Sequence, residues 1–439
     1  MQKYWTRHAW VQGEWVTDVQ FAVGPEGMIT SIQPHTAPGQ SKDLVGIVIP
    51  GMANVHSHAF QWTFAGLSEF RTVEQDSFWS WREQMYQSVE RLSPEEYYER
   101  ACQLYRMMLA AGYTEVGEFH YIHNQPDGQP YPDLACLASE LVRAAVDTGI
   151  GICMIPVLYQ RGGFDDRPLQ GAQRRFQLST DQLVSLCHNL QDQWGAEPGF
   201  RLGVAFHSLR AVNPEAIGSI VDLLDPLLGP DGPIHIHVAE QLVEVQECEA
   251  VYGKRPVELL LDMAEVNGRW CLIHATHMTD SEMCRIADSG AVVGLCPTTE
   301  ANLGDGLFPT AEFLEAGGKI SIGSDSHVAL DPFDELRLLE YGQRLTTHRR
   351  AVLCDVDRSC GERLYREALE GGARALGRAT TGELAVGHPA NLVVLDASHP
   401  VLAGCSPERI LDRLVFCQWG SAVLNTMVRG KLVFENGLA

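Results

Sequence analysis

The chain has 439 residues, of which 45% are hydrophobic and 20% charged. This composition belongs to a globular protein with a sizeable core, not to a disordered, fibrous or membrane-embedded chain. Lys and Arg number 33 against 56 Asp and Glu, and the resulting charge of −23 argues against binding to nucleic acid or to an anionic membrane surface.

Length alone suggests about two or three domains at roughly 150 residues each, although barrel folds run larger as single units. The start, Met1 to His8, has no apolar run after its positive charges and does not read as a signal peptide. No stretch of about 20 apolar residues is present to span a bilayer. The twelve cysteines are scattered from Cys102 to Cys417 without a C-x-x-C pair, and several, such as Cys153 and Cys271, lie in apolar surroundings. Buried, reduced thiols in a cytoplasmic protein explain this better than a disulfide framework.

From Trp10 to Ile47 the chain alternates apolar and polar positions in places, with turn signals at Gly24-Pro25-Glu26-Gly27, and reads as antiparallel strands. Eight short apolar runs follow: Val48 to His58, Tyr113 to Tyr121, Ile150 to Tyr159, Arg201 to Leu209, Ile234 to Glu240, Trp270 to His277, Ala291 to Thr298 and Ile320 to His327. Helical-looking segments separate them. In Pro94 to Ala111, for example, Ala101, Leu104 and Met108 share one helical face. Strands alternating with helices argue for parallel α/β structure, and eight repeats suggest a closed barrel. A doubly wound open sheet accommodates the same pattern. The tail returns to strand character at Gly387 to Asp396 and Thr426 to Glu435. Neither end can bury a core alone, so the two are expected to combine into one small β domain beside the barrel.

Metal-capable side chains fall at the C-terminal ends of the apolar runs, the rim where barrel active sites are built. The first run ends in His56-Ser57-His58, and residues two apart on a strand point to the same side. The fifth ends in His235-Ile236-His237-Val238-Ala239-Glu240, the sixth in His274-Ala275-Thr276-His277, and the eighth in Ser324-Asp325-Ser326-His327. One such histidine is ordinarily a core residue satisfied by a carbonyl. Four clusters at four strand ends point to a metal site. Imidazole and carboxylate ligands favour zinc, with iron, cobalt or manganese as alternatives. Two-metal barrels of this kind often need a carbamylated lysine, and no lysine lies between His58 and His237. One metal is therefore favoured, a bridging Glu118 or cysteine being the weaker alternative.

These residues resemble the amidohydrolase superfamily along nearly the whole chain: Pro50-Gly51-Met52 before His56-Ser57-His58, His237 with Glu240 three residues on, His274, Ser324-Asp325-Ser326, and a tail from Gly382 to Asp396. More specific stretches resemble its formimidoylglutamate deiminase family. They are His56 to Gln61, Phe78-Trp79-Ser80-Trp81-Arg82, Glu118 to Tyr121, His207-Ser208-Leu209-Arg210, His235 to Gln241 and Cys296 to Gly306. The resemblance implies a (β/α)8 TIM-like barrel over residues 49–382, with a small β-sandwich domain built from 1–48 plus 383–439. It implies one zinc or other divalent ion held by His56, His58, His237 and Asp325, with His237 chosen over His235 by its distance from Glu240. Glu240, His274 and Asp325 are the implied catalytic set. Gln61, Arg82, Tyr121, His207 and Arg210 would surround the glutamate portion of a small dianionic substrate, N-formimino-L-glutamate, hydrolysed to N-formyl-L-glutamate and ammonia.

An arginine at a rim presents a permanently charged fork suited to a carboxylate, which makes Arg82 and Arg210 the handle on substrate identity. The alternatives are a deaminase of a purine, pyrimidine or triazine ring using the same metal set, and a non-catalytic binding protein of the same fold. Phe206 stands where the resemblance leads one to expect proline, a change that would tilt His207 slightly. Glycine-rich stretches at Gln160 to Phe164 and Gly304 to Gly306 read as rim cover or as ordinary turns. A cytoplasmic homodimer completes the expectation.

Overall fold

The computed structural model describes residues 1–67, 69, 78–378, 380–417 and 419–436. The chain opens with β1 (Gln2–Val11), β2 (Glu14–Val23), β3 (Ile29–Gln33), β4 (Lys42–Asp43) and β5 (Ile47–Pro50). β1 and β2 pair as an antiparallel hairpin through Gln12-Gly13. Both turn residues have positive φ, the backbone whose twist matches that of the flanking strands.

Next come β6 (Met52–Ser57), β7 (Tyr113–His120), β8 (Gly151–Leu158), β9 (Phe200–Leu202), β10 (Val204–Ser208), β11 (Ile234–Val238), β12 (Trp270–His274), β13 (Val292–Leu295) and β14 (Lys319–Ile322). The eight strands β6, β7, β8, β10, β11, β12, β13 and β14 are neighbours in that order, with β9 paired beside β8. Consecutive pairs from β6 to β14 are parallel. The ring closes between its last and first strands, where Ser57 bridges Asp325 and the Asp325 N–H donates to the His56 carbonyl at 3.0 Å. Closure settles the choice left open by periodicity in favour of the (β/α)8 barrel.

β15 (Leu392–Leu395), β16 (Val423–Val428) and β17 (Lys431–Glu435) complete the chain. They join the first strands in one sheet of order β17-β16-β15-β5-β1-β2-β3, with β4 beside β1. The two ends of the chain meet where β5 pairs antiparallel with β15, Ile47 opposite Leu395 and Pro50 opposite Leu392. Strand period decides what each side chain covers. Ile47 and Ile49 of β5, with Val393 and Leu395 of β15, join the barrel core. Their alternates Val48, Leu392 and Val394 join Tyr4, Val19 and Phe21 in a separate small core. Both halves of the sheet contribute to that core, as expected of a small β-sandwich.

Helices cover the barrel for local reasons. In Pro94–Ala111, Ser93 and Glu96 form a reciprocal capping box, Pro94 opens the first turn, and Gly112 closes the end at φ +100°. Such a cap stabilises a helix by about 1 kcal/mol. The buried face carries Tyr97, Ala101, Leu104, Tyr105 and Met108, the predicted stripe with two tyrosines added. In Cys360–Ala375, a Cβ at Gly371 would lie 1.9 Å from the Ile320 carbonyl oxygen, so glycine is what lets this helix lie against β14. Among the described residues no helix is long and apolar enough to cross a membrane. All twelve cysteines are free, most of them buried.

Candidate metal and substrate site

β6 carries His56 on its final turn of pleat, and His58 follows just past the strand end. Their rings meet edge to face with centroids 4.5 Å apart. β11 brings His237 from across the barrel, placing its Nε2 3.0 Å from His56 Nε2. Asp325, just beyond β14, sets its Oδ1 3.5 Å from His56 Nε2 and 3.2 Å from His58 Nε2. The approach of β14 to β6 depends on Gly323, where a Cβ would lie 2.8 Å from the Cβ of His56. Asp325 and His274 hold φ of +44° and +67°, strained values for residues with side chains. Such backbone persists where the surrounding structure over-determines it, as functional sites do.

The outer nitrogens of two of these rings are already committed. His58 Nδ1 lies 3.0 Å from the Phe119 carbonyl and His237 Nδ1 lies 2.9 Å from that of His207. A carbonyl only accepts, so each Nδ1 carries the proton and each Nε2 presents a lone pair inward. Burial, and then the neighbouring His58, push His56 down to about 3, and burial pushes His237 well below the usual imidazole range. Burial opposes the charge of Asp325, but the adjoining His56 and His58 outweigh it and keep the carboxyl well below its ordinary value. One ligand atom from each of His56, His58 and His237 falls within a 4.8 Å cluster, and the same holds for His56, His274 and Asp325. Neutral imidazoles around an anionic oxygen are the donor set a divalent ion requires. The residues fit such an ion.

The fifth run's other histidine lies two residues earlier on the same strand. His235 Nε2 meets the Ala375 carbonyl at 2.7 Å and does not line the cavity. His327 is likewise taken up, with Nδ1 2.9 Å from Ser324 Oγ. Glu118 receives Ser57 Oγ and the Ala59 N–H, each at 2.7 Å, and Tyr105 OH at 3.2 Å, so both its oxygens are engaged in bracing β6 against β7.

Glu240 follows β11 on a turn held by Glu244, whose carboxylate accepts the Ala239 and Glu240 N–H groups at 3.2 and 3.1 Å. Burial pushes the Glu240 carboxyl up to about 7, against the pull of His274 and Arg210. His274 Nε2 lies 3.9 Å from Glu240 Oε1 and 3.8 Å from Asp325 Oδ2. Burial works against a charge on His274, but Glu240, Glu300 and Asp325 overcome it and push the ring up to about 10.

A cavity opens over this cluster, lined in part by His58, His237, Glu240, His274 and Asp325. Gln61, Arg82, Tyr121, His207 and Arg210 all line the same cavity. Gln61 donates to Tyr121 OH at 3.1 Å, and the Arg82 guanidinium sits 5.7 Å from the Tyr86 ring centroid. Burial opposes the charge of Arg210, yet Glu244 and Glu240 more than offset it. His207 falls where the register of β10 against β11 shifts between Phe206 and Ser208. The bulge aims its ring at the cavity while its carbonyl holds His237. Phe206 stacks on Trp270 at 6.1 Å, outside the lining.

Met85, Tyr86, Tyr159, Phe176 and Leu303 also line the cavity and were not anticipated. The side chains of Phe78 and Trp79, cited in the aromatic motif, lie outside the described residues. The glycine-rich stretches are pinned. Arg161 pairs with Asp166 and donates to the Leu209 carbonyl at 2.9 Å, and Asp305 accepts from Gln241. Phe164 and Gly304 lie in turns.

A barrel of this topology, with three histidines and an aspartate at its strand ends, defines a family. The Amidohydrolase family matches residues 47–433, and the chain belongs to that family. It is 46% identical to the formimidoylglutamate deiminase of Pseudomonas aeruginosa over 96% of this chain and 92% of that protein. It is 28% identical to a 5-methylthioadenosine/S-adenosylhomocysteine deaminase of Nitratidesulfovibrio vulgaris, over 95% of this chain and 86% of that one. Among solved structures, an amidohydrolase from Brucella melitensis superposes with a TM-score of 0.93 at 43% identity, covering 98% of this chain and 94% of its own.

Proposed function

We propose that the protein is a formimidoylglutamate deiminase, hydrolysing N-formimino-L-glutamate to N-formyl-L-glutamate and ammonia. The observation that carries this reading is the placement of Arg82 and Arg210 on the same cavity as the His/Asp cluster. A chain of charge −23 needs local cationic groups to accept a dianion, and two guanidinium forks supply them. Likeness to the Pseudomonas deiminase over nearly both full lengths points the same way. A ring deaminase would use the same histidines but gains little from two guanidinium groups.

His56, His58, His237 and Asp325 would hold the ion, which we assign as zinc from the donor set. When bound, such an ion lowers the pKa of water to roughly 7 and so supplies a nucleophile at neutral pH. The chain's own residues do the rest. Asp325 stays anionic, and its Oδ2, which faces His274 rather than His58, accepts the proton that the attacking water gives up. Glu240, titrating near neutrality, gives a proton to the imine nitrogen and makes the formimino carbon more electrophilic. A C–O bond forms as the C=N π electrons move onto nitrogen. Asp325 then passes the proton it accepted to that nitrogen, the new hydroxyl returns a proton to Glu240, and the C–N bond breaks as the C=O bond forms, releasing ammonia. His274 faces the same point and steadies the developing negative charge. Arg82 and Arg210 fix the carboxylates, with Gln61, Tyr121 and His207 as further hydrogen-bonding groups. Free cysteines throughout support a reducing compartment, and we place the protein in the cytoplasm.

The test is a comparison of kcat/KM for N-formimino-L-glutamate, for the formimino derivative of an uncharged amino-acid amide, and for adenosine. A preference of about 100-fold or more for the dianion supports the reading. Faster hydrolysis of the ring amine overturns it.

A further inference from the structure

Behind His274 lies a carboxylate that the strand-end pattern does not account for. Glu300 belongs to the short helix Pro297–Leu303, which follows β13, and it is buried. Its Oε1 lies 3.1 Å from His274 Nδ1 and accepts the Cys296 backbone N–H at 2.8 Å. The second bond ties the carboxylate to the end of β13, whose pairing with β12 sets Ile273 opposite Gly294 one residue before His274. Both ends of the Glu300–His274 contact are thus anchored on adjacent barrel strands.

With Nδ1 committed outward, the ring has only Nε2 to offer the cavity, where it faces Glu240 and Asp325. An imidazole turns about two side-chain bonds, and a hydrogen bond at Nδ1 removes the flip that exchanges its nitrogens. The left-handed backbone at His274 and Ala275 turns the chain sharply at this point. Glu300 does not line the cavity and acts at one remove. We propose that Glu300 is the positioning residue for His274, holding its ring so that Nε2 meets the negative charge developing on the oxygen that adds to the reacting carbon. The inference rests on the reading of His274 as a group that touches the substrate.

Glu300→Ala should lower kcat about 10- to 100-fold while leaving KM within about threefold and metal content unchanged. Glu300→Gln, which keeps an acceptor oxygen, should recover much of the loss. If the alanine variant does not fold, Glu300→Asp, with its carboxylate drawn back by one methylene, is expected to show the same split. Wild-type kcat in the alanine variant, or a joint loss of KM, metal and thermal stability in all variants, overturns the proposal. Failure of the wild-type protein to hydrolyse N-formimino-L-glutamate strikes at the functional reading instead. The positioning claim is then decided by a crystal structure of Glu300→Ala: a displaced His274 ring supports it, and an unmoved ring overturns it.

Discussion

His237 and His56 bring their Nε2 atoms to 3.0 Å while the far nitrogen of His237 is spent on the His207 carbonyl. Burial keeps both rings neutral, and His237 turns a lone pair toward His56, so this pair of nitrogens is suited to share one cation. Removing the ion with a chelator should therefore abolish turnover and lower Tm. An ion at 1,000 times its Kd stabilises by about 4 kcal/mol. His237→Ala should cut bound metal well below the one ion per chain expected of wild type. Elemental analysis with calorimetry checks this, and an undiminished metal content would contradict it.

Glu240 stands apart from the ligand cluster, with Glu244 fixing its backbone. Its replacement should spare the metal and cost the chemistry. Glu240→Gln is expected to bind a full complement of ion and lose about 10²- to 10⁴-fold in kcat. Near-normal turnover in a metal-replete variant would remove the residue from the acid role.

Arg82 reaches the cavity from helix Phe78–Val89 and Arg210 from the turn after β10, so each can hold a different part of a dianion. A charge-assisted hydrogen bond contributes about 1.5–3 kcal/mol, so Arg82→Ala or Arg210→Ala should lower kcat/KM for N-formimino-L-glutamate by about 10- to 150-fold. The effect on an uncharged formimino compound should be much smaller. Equal losses on both substrates would point to damaged structure, not a lost clamp.

Glu335 offers a stability test away from the metal. Burial pushes its carboxyl from 4.5 up to about 8, despite bonds from the Thr298 N–H and hydroxyl at 2.9 and 2.5 Å. Between those values the folded protein keeps a proton that the unfolded chain has released. Its contribution to stability therefore falls as pH rises from about 5 to 8 and levels off above. Glu335→Gln keeps an acceptor for Thr298 and removes the titration, so its Tm should vary less with pH across that window. Parallel Tm curves for variant and wild type would refute the assignment.

Much of this arrangement was legible in the sequence because barrel strands are short, apolar and end in polar side chains. Each run became a ring strand, with the first divided between β5 and β6 and the fourth between β9 and β10. His56-Ser57-His58 and Asp325 announced themselves by position. His235 and His237 did not separate on local grounds, since both sit on one strand. Only the folded barrel shows that His237 lines the cavity while His235 is taken up by the Ala375 carbonyl. Glu300 and Glu244 were invisible as partners, because a helix carboxylate that turns inward has the same sequence as one in solvent. The tyrosines at 86 and 159 and Phe176 come from three separate segments that only folding brings to one wall. The bulge at His207 left no signal beyond an unexpected Phe206.

The products of the reaction distinguish deimination from every alternative. Metal-loaded protein should be incubated with N-formimino-L-glutamate, ammonia assayed, and the carbon product identified by mass. One ammonia released for each N-formyl-L-glutamate formed is the predicted result. Formamide with free glutamate, or no turnover by protein carrying its full metal, would contradict it.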